Sequence, residues 1–141
     1  MRQSGRQHVV TAVVAVIIDE AERVVLTRRA IAPFLGMWVM PGGKIALGEP
    51  ILEALRREVV EEVGLRVAVD GLIDVFEHLW PDTDHFVILY YRCRPVTCEL
   101  SPSPREVTEA RWVPRTELGS LELTAGSRFI LGKLYPELAA P

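Results

Sequence analysis

Cysteine is scarce in this chain of 141 residues, with only Cys93 and Cys98 present. They sit five residues apart across Pro95 and pair only if the chain doubles back. No second ligand pair accompanies them to suggest zinc. They read as two reduced thiols of a cytoplasmic protein. Long hydrophobic runs are missing too. The longest, residues 9–18, falls short of the about 20 residues that span a bilayer. Arg2 and Arg6 ahead of it give a faint likeness to a signal peptide, but Asp19-Glu20-Ala21-Glu22 follows without a small-residue cleavage site. No membrane partner is expected. Nor is there an excess of positive charge. Lys plus Arg number 16 against 19 Asp plus Glu, a net −3, which argues against a nucleic-acid partner. No repeat or low-complexity tract occurs. Apolar residues at 49% and charged residues at 25% exclude wholesale disorder. One domain over residues 1–141, large enough for a sizeable core, is the expectation.

What is present is an alternation of strand and helix signals. Residues 9–18 are β-branched almost throughout and read as a buried strand. After a turn at 19–22, residues 23–29 read as its returning partner. Residues 30–40 are irregular, with a short strand at 38–40, and Pro41-Gly42-Gly43 breaks the chain. The clearest helix covers residues 50–63. Pro50 suits its first position and Gly64 the left-handed residue beyond its end. Leu52, Leu55, Val59 and Val63 form one apolar stripe at about 100° per residue. Residues 65–80 and 85–93 read as a hairpin, with an interruption near Asp70-Gly71. Residues 109–113 alternate like a strand, and 126–138 read as a final helix. A mixed sheet with one central and one C-terminal helix points to α/β or α+β layers.

Chemistry gathers on the central helix. Glu58, Glu61 and Glu62 occupy positions i, i+3 and i+4, so three carboxylates crowd one arc beside the apolar stripe. Like charges at this spacing cost a few tenths of a kcal/mol per pair, which Arg56, Arg57 or a divalent cation offsets. Hard carboxylate oxygens suit Mg²⁺ or Mn²⁺; a solvated acidic face paired with arginine is the plainer alternative. The preceding loop adds Gly42 and Gly43, whose backbone can approach a ligand closely. Lys44 places a cation beside them. Glu49 stands where a helix N-cap belongs although glutamate is not a preferred cap, which leaves it to serve the loop or a metal.

Gly43, five residues, Glu49, seven residues and then Arg57-Glu58-Val59-Val60-Glu61-Glu62-Val63-Gly64-Leu65 match G-x5-E-x7-R-E-U-x-E-E-x-G-U, with U a bulky aliphatic. This stretch resembles the Nudix box, with every fixed position filled. The flanks are similar to that family as well, through Gly36, Trp38 and Pro41 before the box and Ala110 to Pro114 with Glu117-Leu118 after it. The resemblance implies a Nudix-like α/β/α sandwich with a mixed β-sheet, its box forming loop–helix–loop. It implies hydrolysis of a nucleoside diphosphate linked to a moiety X, with Mg²⁺ or Mn²⁺ as cofactor and a small-molecule nucleotide as partner. By the same resemblance Glu58, Glu61 and Glu62 are metal ligands, one of them a candidate base, and the Gly42 carbonyl is a further ligand. Arg57 orients the glutamates, and Gly43, Glu49 and Gly64 shape the loop. Homodimers are frequent in the family, so a homodimer is an expectation. A non-catalytic nucleotide-binding module is the rival from another class; its expected mark is a damaged box.

Beyond the box, Arg28 and Arg29 should point to opposite faces of their strand, and similar enzymes use an arginine there for substrate. Glu106, with Glu109 as alternative, corresponds to a region where relatives carry a further catalytic glutamate. His78 and His85 flank the hairpin turn, and Trp38, Phe76, Trp80 and Tyr91 suit either base stacking or core packing. For substrate, the coenzyme A type is disfavoured because Phe34 stands where its arginine belongs. Pro81 lies where ADP-ribose enzymes tend to carry proline, although Pro81-Asp82-Thr83-Asp84 also makes sense as a turn. The lean is to ADP-ribose or a nucleotide sugar, with mutator-type hydrolysis of nucleoside triphosphates close behind, since compact chains are common there.

Overall fold

A computed structural model describes residues 8–32, 34–80 and 84–139, the Trp80 side chain apart. The strands are β1 (Val10–Ile17), β2 (Arg23–Arg29), β3 (Trp38–Val39), β4 (Gly42–Lys44), β5 (Val67–Trp80), β6 (Asp84–Pro95) and β7 (Val107–Pro114). Helix α1 spans Ile51–Val63 and α2 spans Ala125–Leu134, with short 3-10 helices at Arg115–Ser120 and Pro136–Leu138. Among the described residues the strands form a four-stranded mixed sheet, β4-β1-β6-β5, and a three-stranded antiparallel sheet, β3-β2-β7.

The mixed sheet departs from the hairpin expected of the first two strands. β1 runs parallel to β6 from Val10↔Phe86 to Ile17↔Cys93 and antiparallel to β4. Among the described residues its backbone pairing with β2 is limited to the isolated bridge Ile18↔Val24, just past the end of β1. The reason lies in burial. β1 and β2 are apolar on both faces, so each is best placed inside a layered stack rather than at the end of a two-stranded ribbon. Val13, Ala15 and Ile17 pack with Val25 against Leu55, Val59 and Val63 of α1. Val14, Val16 and Ile18 pack with Leu26 against Ile130 and Leu131 of α2. The two helices therefore cover opposite faces, as the three-layer reading requires.

Local corrections are small and have physical causes. Pro50 is the N-cap of α1, with φ −60° and ψ 145°, and its carbonyl accepts from the Ala54 amide at 3.0 Å. Glu49 is thus one residue outside the helix and does not cap it. Gly64 takes the left-handed conformation at φ 75° and closes the helix with its amide on the Val60 carbonyl. β5 runs continuously through Asp70-Gly71, absorbing the break as register shifts between Val69 and Gly71 and between Leu72 and Asp74. The last helix starts at Ala125 behind Thr124, whose side chain accepts from the Ser127 amide. It stops before Pro136, which opens the 3-10 turn.

Candidate active site

The short strand β4 carries the glycines of the loop into contact with α1. A side chain at Gly42 would collide with the Val13 carbonyl and with Val14 of the neighbouring β1. A Cβ at Gly43 would stand 2.4 Å from the Glu58 carboxyl carbon. The absence of side chains lets the Glu58 carboxylate lie directly on the backbone of the loop.

Arg57 ties this loop to the helix. Its Nε donates to Glu49 Oε2 at 2.7 Å and its Nη2 to Glu49 Oε1 at 2.9 Å. Its Nη1 donates to Glu58 at 2.9 Å and to Glu61 at 3.1 Å, and Nη2 also reaches the Lys44 carbonyl at 3.3 Å. Glu49 Oε1 additionally accepts from the Ala46 amide at 3.1 Å. The guanidinium and that amide hold the Glu49 carboxyl at a pKa of about 2. The same ion pairs, Glu49 first, raise Arg57 further above its ordinary value.

The three helix glutamates have different surroundings. Glu62 is buried at 8% exposure, Glu58 is half-buried, and Glu61 is exposed against Arg57. Burial pushes Glu62 up to a pKa of about 8, with the charges of Glu106 and Glu58 adding to the shift. Arg29 and the Gly42 amide, which donates to its carboxylate, oppose it. Burial also raises Glu58, against the pull of Arg57 and with repulsion from Glu61 and Glu106. A buried carboxylate facing two others favours a cation between them or a proton.

These groups open into a cleft of about 670 Å³. Glu58, Glu62, Glu106, Arg29 and Lys44 line one end of it, with Gly42 and Gly43. Phe34, Phe76, His78, Asp84, Phe86 and Tyr90 line the other. The structure thus brings together Glu58, Glu62, Glu106, Arg29, Lys44 and the two glycines, and leaves Glu61 and Glu109 outside the lining. Of the paired arginines, Arg29 faces the cleft beside a register shift in β2, whereas Arg28 donates from Nε to the Gly36 carbonyl at 3.0 Å. His85 pairs with Glu77 at 2.7 Å, Trp38 is core, and Tyr91 packs on the α1 side. Pro81 lies outside the described residues.

Among the described residues no three His, Cys, Asp or Glu side chains form a ready-made metal-holding group. The donor set nevertheless suits a hard cation. Carboxylate oxygens of Glu58, Glu62 and Glu106 share one cleft, and their mutual repulsion is only partly offset by Arg29 and Arg57. No helix among the described residues is long and apolar enough to cross a membrane.

On the far wall the sequence singled out Phe76 and His78 but not the residues that β6 contributes. Phe86, Ile88 and Tyr90 alternate along β6 and all face the cleft, a period of two that was legible in principle. The contribution of Thr124, Ala125 and Gly126 had no sequence signal, because it depends on where α2 docks.

The family profile described as NUDIX domain matches residues 8–137. The chain is 35% identical over 113 residues to the 8-oxo-dGDP phosphatase NUDT18 of Homo sapiens, covering 80% of this chain and 35% of that protein. It is 38% identical over 68 residues to an ADP-ribose pyrophosphatase of Methanocaldococcus jannaschii, covering 48% of this chain and 39% of the other. The chain therefore matches little more than a third of the length of either relative. Among solved structures, the MutT NUDIX hydrolase from Burkholderia pseudomallei superposes with a TM-score of 0.83 at 27% identity, covering 91% of this chain and 99% of that one.

Proposed function

Because this chain belongs to the Nudix hydrolase family, we propose that it hydrolyses a pyrophosphate bond in a nucleoside diphosphate linked to another moiety, with Mg²⁺ or Mn²⁺ as cofactor. The observation that carries this reading is a single cleft. It joins the carboxylates of Glu58, Glu62 and Glu106 to an aromatic chamber of nucleotide size.

Glu58, Glu62 and Glu106 are the residues that would hold the cation, with the Gly42 carbonyl beside them and Glu61 entering if it leaves Arg57. When bound, a divalent cation neutralises the pyrophosphate and acidifies a water for attack on phosphorus. The protein's own residues do the rest. Arg57 fixes Glu58 and the loop through Glu49, so the carboxylate geometry is set before substrate arrives. Arg29 and Lys44 offer positive charge to phosphate oxygens at the same end of the cleft. Glu106 shares the cleft with Glu62, close enough for its charge to act on that carboxyl, and is a candidate to accept the proton of the attacking water. The aromatic wall binds the nucleoside and keeps its sugar and phosphates in reach of the acidic end.

Two substrate classes fit this arrangement. ADP-ribose or a nucleotide sugar is favoured by the position of Pro81 and by the name of the archaeal relative. A nucleoside di- or triphosphate is favoured by the name of the human one. The test is release of the nucleoside monophosphate and its co-product, a sugar phosphate from ADP-ribose or a nucleotide sugar and pyrophosphate from the common NTPs and dNTPs, with Mg²⁺ and with chelator. Release that depends on Mg²⁺ and is lost in Glu62→Gln supports the reading. A correctly folded protein that binds nucleotides and releases nothing from any of them would replace it with the non-catalytic module.

A further inference from the structure

Arg56 and Val60 are four residues apart on α1, so they share one face, roughly opposite the one that carries Glu58. Together with Leu65, Arg66, Val67 and Val96 they line a groove of about 330 Å³, apart from the cleft. The backbone of Arg66 is fixed in it. Its amide donates to Thr97 Oγ1 at 2.9 Å, and its carbonyl accepts from the amides of Val96 and Thr97 at 2.8 Å and 3.3 Å. One wall is thus a helix and the other a tied strand end, a frame that costs little to order on binding.

The groove combines exposed apolar surface with cations that no acid answers. Val60 is 51% exposed and Val96 54%, above the buried Leu65 and Val67. Arg56 and Arg66 are exposed, and among the described residues neither guanidinium takes part in an ion pair or a hydrogen bond. Arg56 does not join Arg57 on the helix glutamates. Asp70, the first acid of β5, is already held by Arg94 at 2.9 Å. Apolar surface left in water beside polar groups marks a place where a partner sits.

We infer that this groove docks an acidic segment of a partner protein that also carries an aliphatic residue, its carboxylates on Arg56 and Arg66 and its aliphatic side chain on Val60, Val67 and Val96. Charge complementarity selects that occupant. A guanidinium presents a planar fork of donors that matches a carboxylate, and two such forks create a local positive site in a chain of net −3. A free phosphate would answer the arginines and leave the valines in water. A bilayer surface would not reach Leu65 and Val67 at the base of a groove. Nucleic acid calls for a longer row of cations than two.

The probe is the capped peptide Ser-Glu-Ser-Leu-Ser-Glu-Ser, whose glutamates and leucine lie on one side of an extended chain. Titrated into the isotope-labelled full chain, it should shift the amide resonances of Arg56, Val60, Arg66, Val67 and Val96 and leave those of Gly42 and Gly43 in the cleft in place. Combining Arg56→Gln with Arg66→Gln should weaken binding by at least about fivefold, and added salt should weaken binding to the wild type. Val60→Thr, or alanine for the probe's leucine, should weaken it by at least about twofold. All three substitutions are at exposed positions, and unchanged resonances elsewhere show that each variant is folded. Equal binding of a peptide with lysine for glutamate, shifts confined to residues outside the groove, or no shift at millimolar probe would overturn the inference. Equal groove shifts from inorganic phosphate, phosphatidylglycerol vesicles or single-stranded RNA would also overturn it, each naming another occupant. Groove shifts that grow with protein concentration and no probe would do so by naming a second copy of this chain.

Discussion

Arg57 grips Glu49 with two nitrogens, Nε at 2.7 Å and Nη2 at 2.9 Å, although the two residues are eight apart and Glu49 lies outside the helix that carries Arg57. The pair is the rivet between loop and helix, and its remaining nitrogen orients Glu58.

Arg57→Lys keeps the charge and loses the fork, since an ammonium cannot donate to Glu49, Glu58 and Glu61 in one plane. The expected result is a fall in kcat of about 10- to 100-fold with a higher Mg²⁺ requirement and little change in melting temperature, a partly exposed ion pair being worth about 1 kcal/mol at most. Steady-state kinetics across a Mg²⁺ titration checks this. Unchanged kcat and Mg²⁺ dependence would show that the rivet is dispensable.

Glu62 predicts a pH dependence of stability in chelator-treated protein. Its folded pKa of about 8 lies above the ordinary 4.5, so the native state holds the proton more tightly than the unfolded chain. Its contribution is fully present below about pH 4.5 and is lost as pH rises towards 8. The loss is of order a few kcal/mol at most. Glu62→Gln should flatten that slope, and Mg²⁺ should restore the wild-type protein at pH 8 by favouring the charged form. Thermal melts of both proteins from pH 5 to pH 9, with and without Mg²⁺, decide it. Parallel curves for wild type and Glu62→Gln would rule it out.

Glu106 lines the cleft and Glu109 does not. Glu106→Gln should therefore lower kcat by at least about tenfold with a smaller change in KM, the pattern of a transition-state role. Glu109→Gln should stay within about twofold of wild type. If both are silent, the base belongs to the helix, and Glu61→Gln with Glu62→Gln become the informative pair.

Phe34 lies at φ 65°, left-handed for a bulky residue, with its ring edge-on to His78 at 6.0 Å and facing the cleft. Strain of this kind costs about 1 kcal/mol or more and tends to be kept where a site uses it. Phe34→Gly should leave the melting temperature within a few degrees of wild type, because relief of strain offsets the lost ring contact. It should raise KM for nucleotides severalfold. Melting curves and KM together test this. A large loss of stability with unchanged KM would make Phe34 a packing residue.

Local chemistry made much of this protein legible from its sequence. The α1 stripe, the Gly64 stop and the spacing of Glu58, Glu61 and Glu62 follow from helical geometry over one short segment, and the box residues sit at fixed intervals within it. The hairpin of β5 and β6 was readable because its two strands are neighbours in the chain. Long-range packing decided the rest. β1 bypasses β2 and pairs with β6 because a strand apolar on both faces gains most at the centre of three layers. Glu62 is buried and Glu61 exposed, though they are adjacent, because the helix turns about 100° between them and only one side meets the sheet. Tyr90, Phe34 and the first turn of α2 come from three distant segments, and only the docking of α2 on the mixed sheet sets them around one cleft.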